Sequence, residues 1–230
     1  MKKIGLVGGT GPESTLMYYK ELNSKIDEAT GGKAMPELTI ESVNFRKAWE
    51  LVSREKYQEL TDYLSDKVNS LVNSGAEVIA LTAATMHMVF DEIENNTQVS
   101  LVSIPKTISD EVVEKGYKKV GLLGTIFTME QDFMKKDLRK AGIDVIVPED
   151  ADRKLIAKRI YEELELGIVK DSTLKEFNEI IRKMKDMHDI EAIILGCTEL
   201  PMLLNDTNCL LPCMDSVAIH IKKLVDLAKE

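Results

Sequence analysis

The stretch Ile4-Gly5-Leu6-Val7-Gly8-Gly9-Thr10-Gly11-Pro12 opens as a short apolar run and breaks off in glycines. Glu13 to Glu28 then has helical periodicity, and Gly31-Gly32 stops it. A buried strand, a tight loop and a helix are the reading. The phrase returns 116 residues later as Val120-Gly121-Leu122-Leu123-Gly124. A second apolar run, Val78-Ile79-Ala80-Leu81-Thr82-Ala83, returns at an offset of 114 as Ala192-Ile193-Ile194-Leu195-Gly196-Cys197. Buried strands resemble one another by chance, but two matches in the same order and at nearly equal offset point to an internal duplication.

The remaining segments fit this frame. Leu38 to Val43 reads as a strand, Glu55 to Asn73 as a long amphipathic helix stopped at Gly75, and Leu101 to Ile104 as the strand closing the first half. In the second half, Met129 to Lys140 reads as a helix and Asp144 to Val147 as a strand. Helices follow near Asp152 to Leu166 and from Ser172 to His188, and a final helix starts at Asp215. Strands separated by helices of this length imply α/β lobes, each a parallel sheet flanked by helices. Two pseudo-symmetric lobes are expected, related by a pseudo-two-fold. Ligands of open parallel sheets bind beyond the carboxyl ends of the strands. The loops near Gly8, Ala83, Gly124 and Cys197 are therefore expected to converge on an active site in the cleft between the lobes.

Composition limits the function. With 30 Lys and Arg against 39 Asp and Glu, the net charge is -9 and the basic residues are scattered. That argues against a nucleic-acid surface or an anionic-membrane patch. No apolar run approaches a membrane span. Three cysteines do not read as a disulfide framework, and MKKIGLVGG does not read as a signal peptide. A cytoplasmic location with free thiols is the expectation.

Cys197 is the chemical centre of this reading. It follows a buried strand directly, with Gly196 before it and Thr198-Glu199-Leu200-Pro201 after it. Pro201 suits the first turn of a helix, whose dipole would favour the thiolate. Cys209 and Cys213 read as small packed hydrophobes, since no second pair or nearby His makes them a zinc site. Gly9-Thr10-Gly11-Pro12-Glu13-Ser14 is an imperfect dinucleotide fingerprint with Ser14 at its third glycine, and no Walker lysine follows. His87 serves either as a base or as an anchor for the helix after it.

Four motifs now carry a resemblance. They are Ile4 through Thr15, the loop ending Thr85-Met86-His87, Leu122-Leu123-Gly124-Thr125 with Thr128-Met129, and Gly196-Cys197-Thr198-Glu199-Leu200. Together they resemble the aspartate/glutamate racemase family over nearly the whole chain. The resemblance implies a cofactor-independent (PLP-independent), metal-free racemase and a homodimer acting on a small amino-acid or dicarboxylate substrate. It also implies a final helix returning to the first lobe. Residues 1–104 plus 213–230 would then form the first lobe and 105–212 the second.

The family mechanism sets one thiol on each side of the substrate Cα, one removing the α-proton and the other delivering a proton. Donors for the charge that develops on the substrate are expected from Gly9, Thr10, Thr85, Thr125, Thr128 and Thr198. This chain departs from the family loop Cys-Asn-Thr-x-His, reading Ala83-Ala84-Thr85-Met86-His87. Both the first-lobe thiol and its neighbouring amide are replaced. Thr82 is the alternative catalytic group, although it sits one residue early and on a strand faces the other way. A lysine that some relatives carry after a Tyr-Glu pair is replaced by Glu165. Arg46, with Lys47 and Arg54, is placed in or near the loop after the second strand as a receiver for a distal carboxylate. Ala83, Ala84 and Glu199 complete the expected substrate-contact set.

Two further functions stay open: a one-thiol decarboxylase or isomerase of a small dicarboxylate, and a non-catalytic binder on the same scaffold.

Overall fold

A computed structural model describes residues 1–230. The chain divides into two compact units, Met1–Ile104 with His220–Glu230, and Pro105–Ile219.

The first unit holds β1 (Ile4–Gly8), α1 (Pro12–Ala29), β2 (Leu38–Ser42), α2 (Phe45–Ser53), α3 (Tyr57–Asn73), β3 (Val78–Leu81), α4 (Phe90–Asn95) and β4 (Ser100–Val102). Its parallel sheet has the order β2-β1-β3-β4. Every residue of β1 and β3 is buried, as central strands covered on both faces require. Helices present apolar stripes to that sheet: Tyr18, Leu22 and Ile26 of α1 and Leu60, Leu64, Val68 and Leu71 of α3 are buried at helical spacing.

From α5 (Ile104–Glu114) onward the second unit repeats the plan. It contains β5 (Lys119–Leu123), α6 (Ile126–Glu130), α7 (Lys136–Lys140), β6 (Asp144–Ile146), α8 (Asp150–Glu162), α9 (Asp171–His188), β7 (Ala192–Leu195) and β8 (Cys213–Asp215), with α10 (Ser216–Lys229) continuing into the first unit. Its sheet has the matching order β6-β5-β7-β8. The duplication holds at residue level. Thr82 N–H donates to the Val7 carbonyl at 3.1 Å in the first unit, and Gly196 N–H donates to the Leu123 carbonyl at 2.8 Å in the second. Leu81 pairs with Val7 as Leu195 pairs with Leu123. Ala83 and Cys197 therefore hold equivalent positions in their own units.

Several expectations need correction. The return to the first unit falls at His220 rather than 213, because Cys213–Asp215 form β8 on the edge of the second sheet. The segment after β2 is helix α2, started by Asn44, whose side chain accepts from Lys47 N–H at 3.3 Å, so Arg46 is helical and exposed rather than in a loop. The strand closing the first half ends at Val102 rather than Ile104, because Ile104 opens α5 with Pro105 in its first turn, where proline is tolerated. The helix expected over 129–140 is broken into α6 and α7. Buried Lys135 lies at the break and donates to the carbonyls of Met129 and Glu130 at 2.9 and 3.0 Å, satisfying the end of α6.

In the first unit α10 is tied down by one buried chain of hydrogen bonds. The Tyr18 hydroxyl lies 2.7 Å from His220 Nδ1, and Nε2 lies 2.9 Å from the Val102 carbonyl. A carbonyl only accepts, so Nε2 carries the proton and Nδ1 accepts from the tyrosine. Burial lowers the His220 pKa to about 4 and keeps the ring neutral.

Candidate functional site

At the carboxyl end of the first sheet, the loops after β1 and β3 are neighbours because those strands pair. Gly9 has φ +83 and a side chain there would meet Val43 O at 2.6 Å, so glycine is required on both counts. Its N–H donates to Thr15 Oγ1 at 2.9 Å, and Ser14 Oγ donates to the Thr82 carbonyl at 2.6 Å, which locks the two loops together. Thr10 is buried, and its hydroxyl meets no hydrogen-bond partner in the protein.

Thr82 is 1% exposed, and its hydroxyl donates to the Val7 carbonyl at 3.3 Å and lies 3.4 Å from Thr15 Oγ1. It serves the loop packing of its own sheet. Ala83 has extended backbone, and Ala83, Ala84 and Thr85 are all half-buried at the strand end. His87 is an anchor in this geometry. Nε2 accepts from Ile104 N–H at 3.1 Å, so Nδ1 carries the proton and donates to the Ala83 carbonyl at 3.1 Å. Its ring also stacks on Phe90 at 5.0 Å. Arg46 lies at the start of α2; of its cationic neighbours, Lys47 sits 4.2 Å over the Tyr63 ring and Arg54 pairs with Glu50 at 3.0 Å.

The second unit has the same arrangement with different chemistry. Thr125 Oγ1 accepts from Thr128 N–H at 3.2 Å, capping α6, and the two hydroxyls lie 3.1 Å apart. Beside them, Gly196 follows β7. A side chain there would sit 2.8 Å from the Leu123 carbonyl and 2.7 Å from Thr128 Cγ2, so only glycine lets the chain pass into Cys197.

Cys197 is half-buried, and its sulfur is met by the backbone N–H groups of Glu199 and Leu200. The Glu199 carboxylate also hydrogen-bonds the thiol, while accepting from Thr198 Oγ1 at 2.6 Å.

The charge on that sulfur differs from the expectation. Burial first, and the Glu199 carboxylate second, push the Cys197 thiol well above its ordinary range, against the two N–H donors. The helix expected after it is only a single turn of 3-10 helix, Leu200–Met202, too short for a substantial dipole. The resting group is a protonated thiol hydrogen-bonded to a carboxylate. A thiol raised in this way is a weak acid at rest, and the carboxylate beside it is placed to receive its proton. Sequence patterning did not reveal the acidic surroundings of the thiol. Glu165, on the turn Leu164–Leu166, has its carboxyl raised by burial and then by repulsion from Glu199, which places both acids in one electrostatic neighbourhood.

Two sheets of identical strand order, each ending in small and hydroxylic loops and one bearing a thiol, define a duplicated α/β architecture with ligand loops after its strands. Residues 7–224 match the Asp/Glu/Hydantoin racemase family, and the chain belongs to it. A candidate Asp/Glu racemase from Yersinia pestis superposes with a TM-score of 0.94 at 36% identity, covering 100% of both chains. An aspartate racemase homologue from Pyrococcus horikoshii OT3 gives 0.91 at 38% identity, again over 100% of both. The broad specificity amino-acid racemase RacX of Bacillus subtilis is 23% identical over 96% of each chain.

Proposed function

We propose that this protein is a cofactor-independent racemase of a small acidic amino acid, aspartate or glutamate, with Cys197 as its acid/base. The observation that carries this reading is the Cys197 thiol at the end of β7, between two backbone N–H donors and the Glu199 carboxylate. Inversion at Cα needs a proton removed from one face and delivered to the other. On substrate binding, the α-ammonium meets the Glu199 carboxylate. That pairing draws negative charge away from the sulfur and makes the thiolate accessible, with the N–H groups of Glu199 and Leu200 stabilising it.

Thr10 supports the same reading. A buried hydroxyl without a partner carries an uncompensated desolvation cost, and a substrate carboxylate oxygen would relieve it. Thr85 is assigned as a further donor, whereas the Gly9 N–H is held by Thr15, the Thr198 hydroxyl by Glu199, and Thr125 and Thr128 by each other. Arg46 is assigned the distal carboxylate. Thr82, with its hydroxyl on Val7, is assigned loop packing in preference to proton transfer.

Ala83 stands where the equivalent position of the second unit has Cys197, so the first unit lacks a thiol there. The protein then exchanges the α-proton of one enantiomer faster than it interconverts the pair. The test is incubation with each enantiomer of aspartate and glutamate followed by chiral chromatography, for the native protein and for Cys197→Ser. Product from the native protein and loss of it in the folded variant support the assignment. Undiminished product in the variant removes Cys197 from the mechanism.

A further inference from the structure

His87 joins two parts of the first unit through the two nitrogens of one buried ring. Its Nδ1–H donates to the Ala83 carbonyl at 3.1 Å. The same oxygen accepts from Met86 N–H at 3.2 Å, so the turn that presents Ala84 and Thr85 is closed twice. Its Nε2 accepts from Ile104 N–H at 3.1 Å. Ile104 opens α5 and is the last residue of the first unit before the chain passes to the second. Two residues earlier, the Val102 carbonyl accepts from His220 Nε2 at 2.9 Å, so buried histidines grip the segment Val102–Ile104 at both ends.

The duplication supplies a control. Ala80 pairs with Val102 as Ile194 pairs with Met214, which sets Ile104 level with Ser216 at the start of α10. There the Ser216 hydroxyl donates to the Leu195 carbonyl at 2.7 Å, and Asp215 Oδ1 accepts from the N–H groups of Val217 and Ala218 at 2.9 and 3.1 Å. Both groups belong to the helix start itself. At the offset of 114, His87 falls on Pro201, whose side chain neither donates nor accepts. The second unit thus builds the same strand, turn and helix start without an imidazole, and the tie made by His87 is not a requirement of the fold.

From this asymmetry we propose that His87 is a positioning residue of the reaction, fixing the loop that carries Thr85 to the start of α5 through both ring nitrogens. The inference rests on the racemase reading, in which Thr85 donates to the substrate. A donor held in advance costs no reorganisation as charge develops on the substrate. A displacement of about 1 Å costs on the order of 10²-fold in rate. The arrangement also needs one tautomer. Ile104 N–H only donates, so Nε2 of His87 is bare and Nδ1 carries the proton, the reverse of His220, whose Nε2 carries it.

Two substitutions in the full chain separate the loop from its support. His87→Asn retains an amide N–H in place of Nδ1–H for the Ala83 carbonyl and leaves Ile104 N–H unpaired, whereas His87→Phe keeps an aromatic ring against Phe90 and loses both bonds. The kcat/KM for α-proton exchange with aspartate or glutamate should fall on the order of 10- to 100-fold in His87→Phe. His87→Asn should recover most of that loss, although both variants melt below the native protein. In the substrate-free protein, the Thr85 amide resonance should move in His87→Phe and return in His87→Asn. The imidazole nitrogen spectrum of the native protein should show His87 protonated at Nδ1 and His220 at Nε2. These spectra do not depend on turnover, so a native protein that exchanges no α-proton refutes the racemase reading while the Thr85 amide still decides the positioning role. Native exchange rates in His87→Phe, exchange in His87→Asn as low as in His87→Phe, an unmoved Thr85 amide, or a proton on Nε2 of His87 would each overturn the proposal. The native spectrum stands even if a variant fails to fold.

Discussion

Replacing Ala83 by cysteine asks whether the first unit carries a vacated proton-transfer position. Ala83 lies two residues past β3 with extended backbone, φ -123 and ψ 128, which cysteine adopts without strain. The substitution adds one sulfur at a half-buried position. The Ala83 carbonyl that holds His87 is backbone and survives the change. A positioned general acid or base contributes on the order of 10²- to 10⁴-fold, or about 3 to 5 kcal/mol of barrier. Racemisation by Ala83→Cys, followed by circular dichroism of L-aspartate and L-glutamate, should exceed the native rate by a large part of that factor. Ala84→Asn, restoring the neighbouring amide, should add to it. A native protein that already racemises at an ordinary enzymatic rate, with no gain in Ala83→Cys, would refute the reasoning and return attention to Thr82 or a water.

Other outcomes follow from the same geometry. Glu199→Gln removes a negative charge that raises the Cys197 thiol. The pH at which iodoacetamide modifies that cysteine half-maximally should therefore fall, while burial keeps it above that of a free thiol. Gly196→Ala places a Cβ 2.8 Å from the Leu123 carbonyl, so it should lower the melting temperature and reduce racemisation together. His220 titrates at about 4 in the folded protein against about 6.5 when unfolded. The unfolded chain therefore binds more protons between those values, and stability is complete above pH 6.5. It should be lost progressively toward pH 4 by about 3 kcal/mol, measured by urea denaturation, with His220→Phe flattening that dependence.

Much of this architecture was legible because buried central strands are apolar along nearly their whole length, and three of the four end in or run into glycine (Gly8, Gly124 and Gly196). Ile4–Gly8 and Val78–Leu81 with their repeats Lys119–Leu123 and Ala192–Leu195 are such strands, and the two Gly-bearing offsets located both sheets. Edge and peripheral elements carried weaker signals. Cys213–Asp215 is a three-residue strand, too short for periodicity. Helix α2 did have a signature, since Asn44 caps it and Ala48, Leu51 and Val52 lie at helical spacing, but its exposed Phe45 and Trp49 obscured the stripe. Cys197 and its equivalence to Ala83 were readable from the repeat. The protonation state of the thiol was not, because it depends on burial and on how Glu199 turns back toward the sulfur.

The most direct test of the account follows the α-proton of each enantiomer of aspartate and glutamate by NMR in deuterated water, alongside optical rotation, with the native protein. A thiol acting from one face predicts that one enantiomer exchanges its α-proton for deuterium well before the optical rotation decays, and that Cys197→Ser abolishes this exchange. No exchange with any of the four amino acids, or exchange that persists in Cys197→Ser, would contradict it.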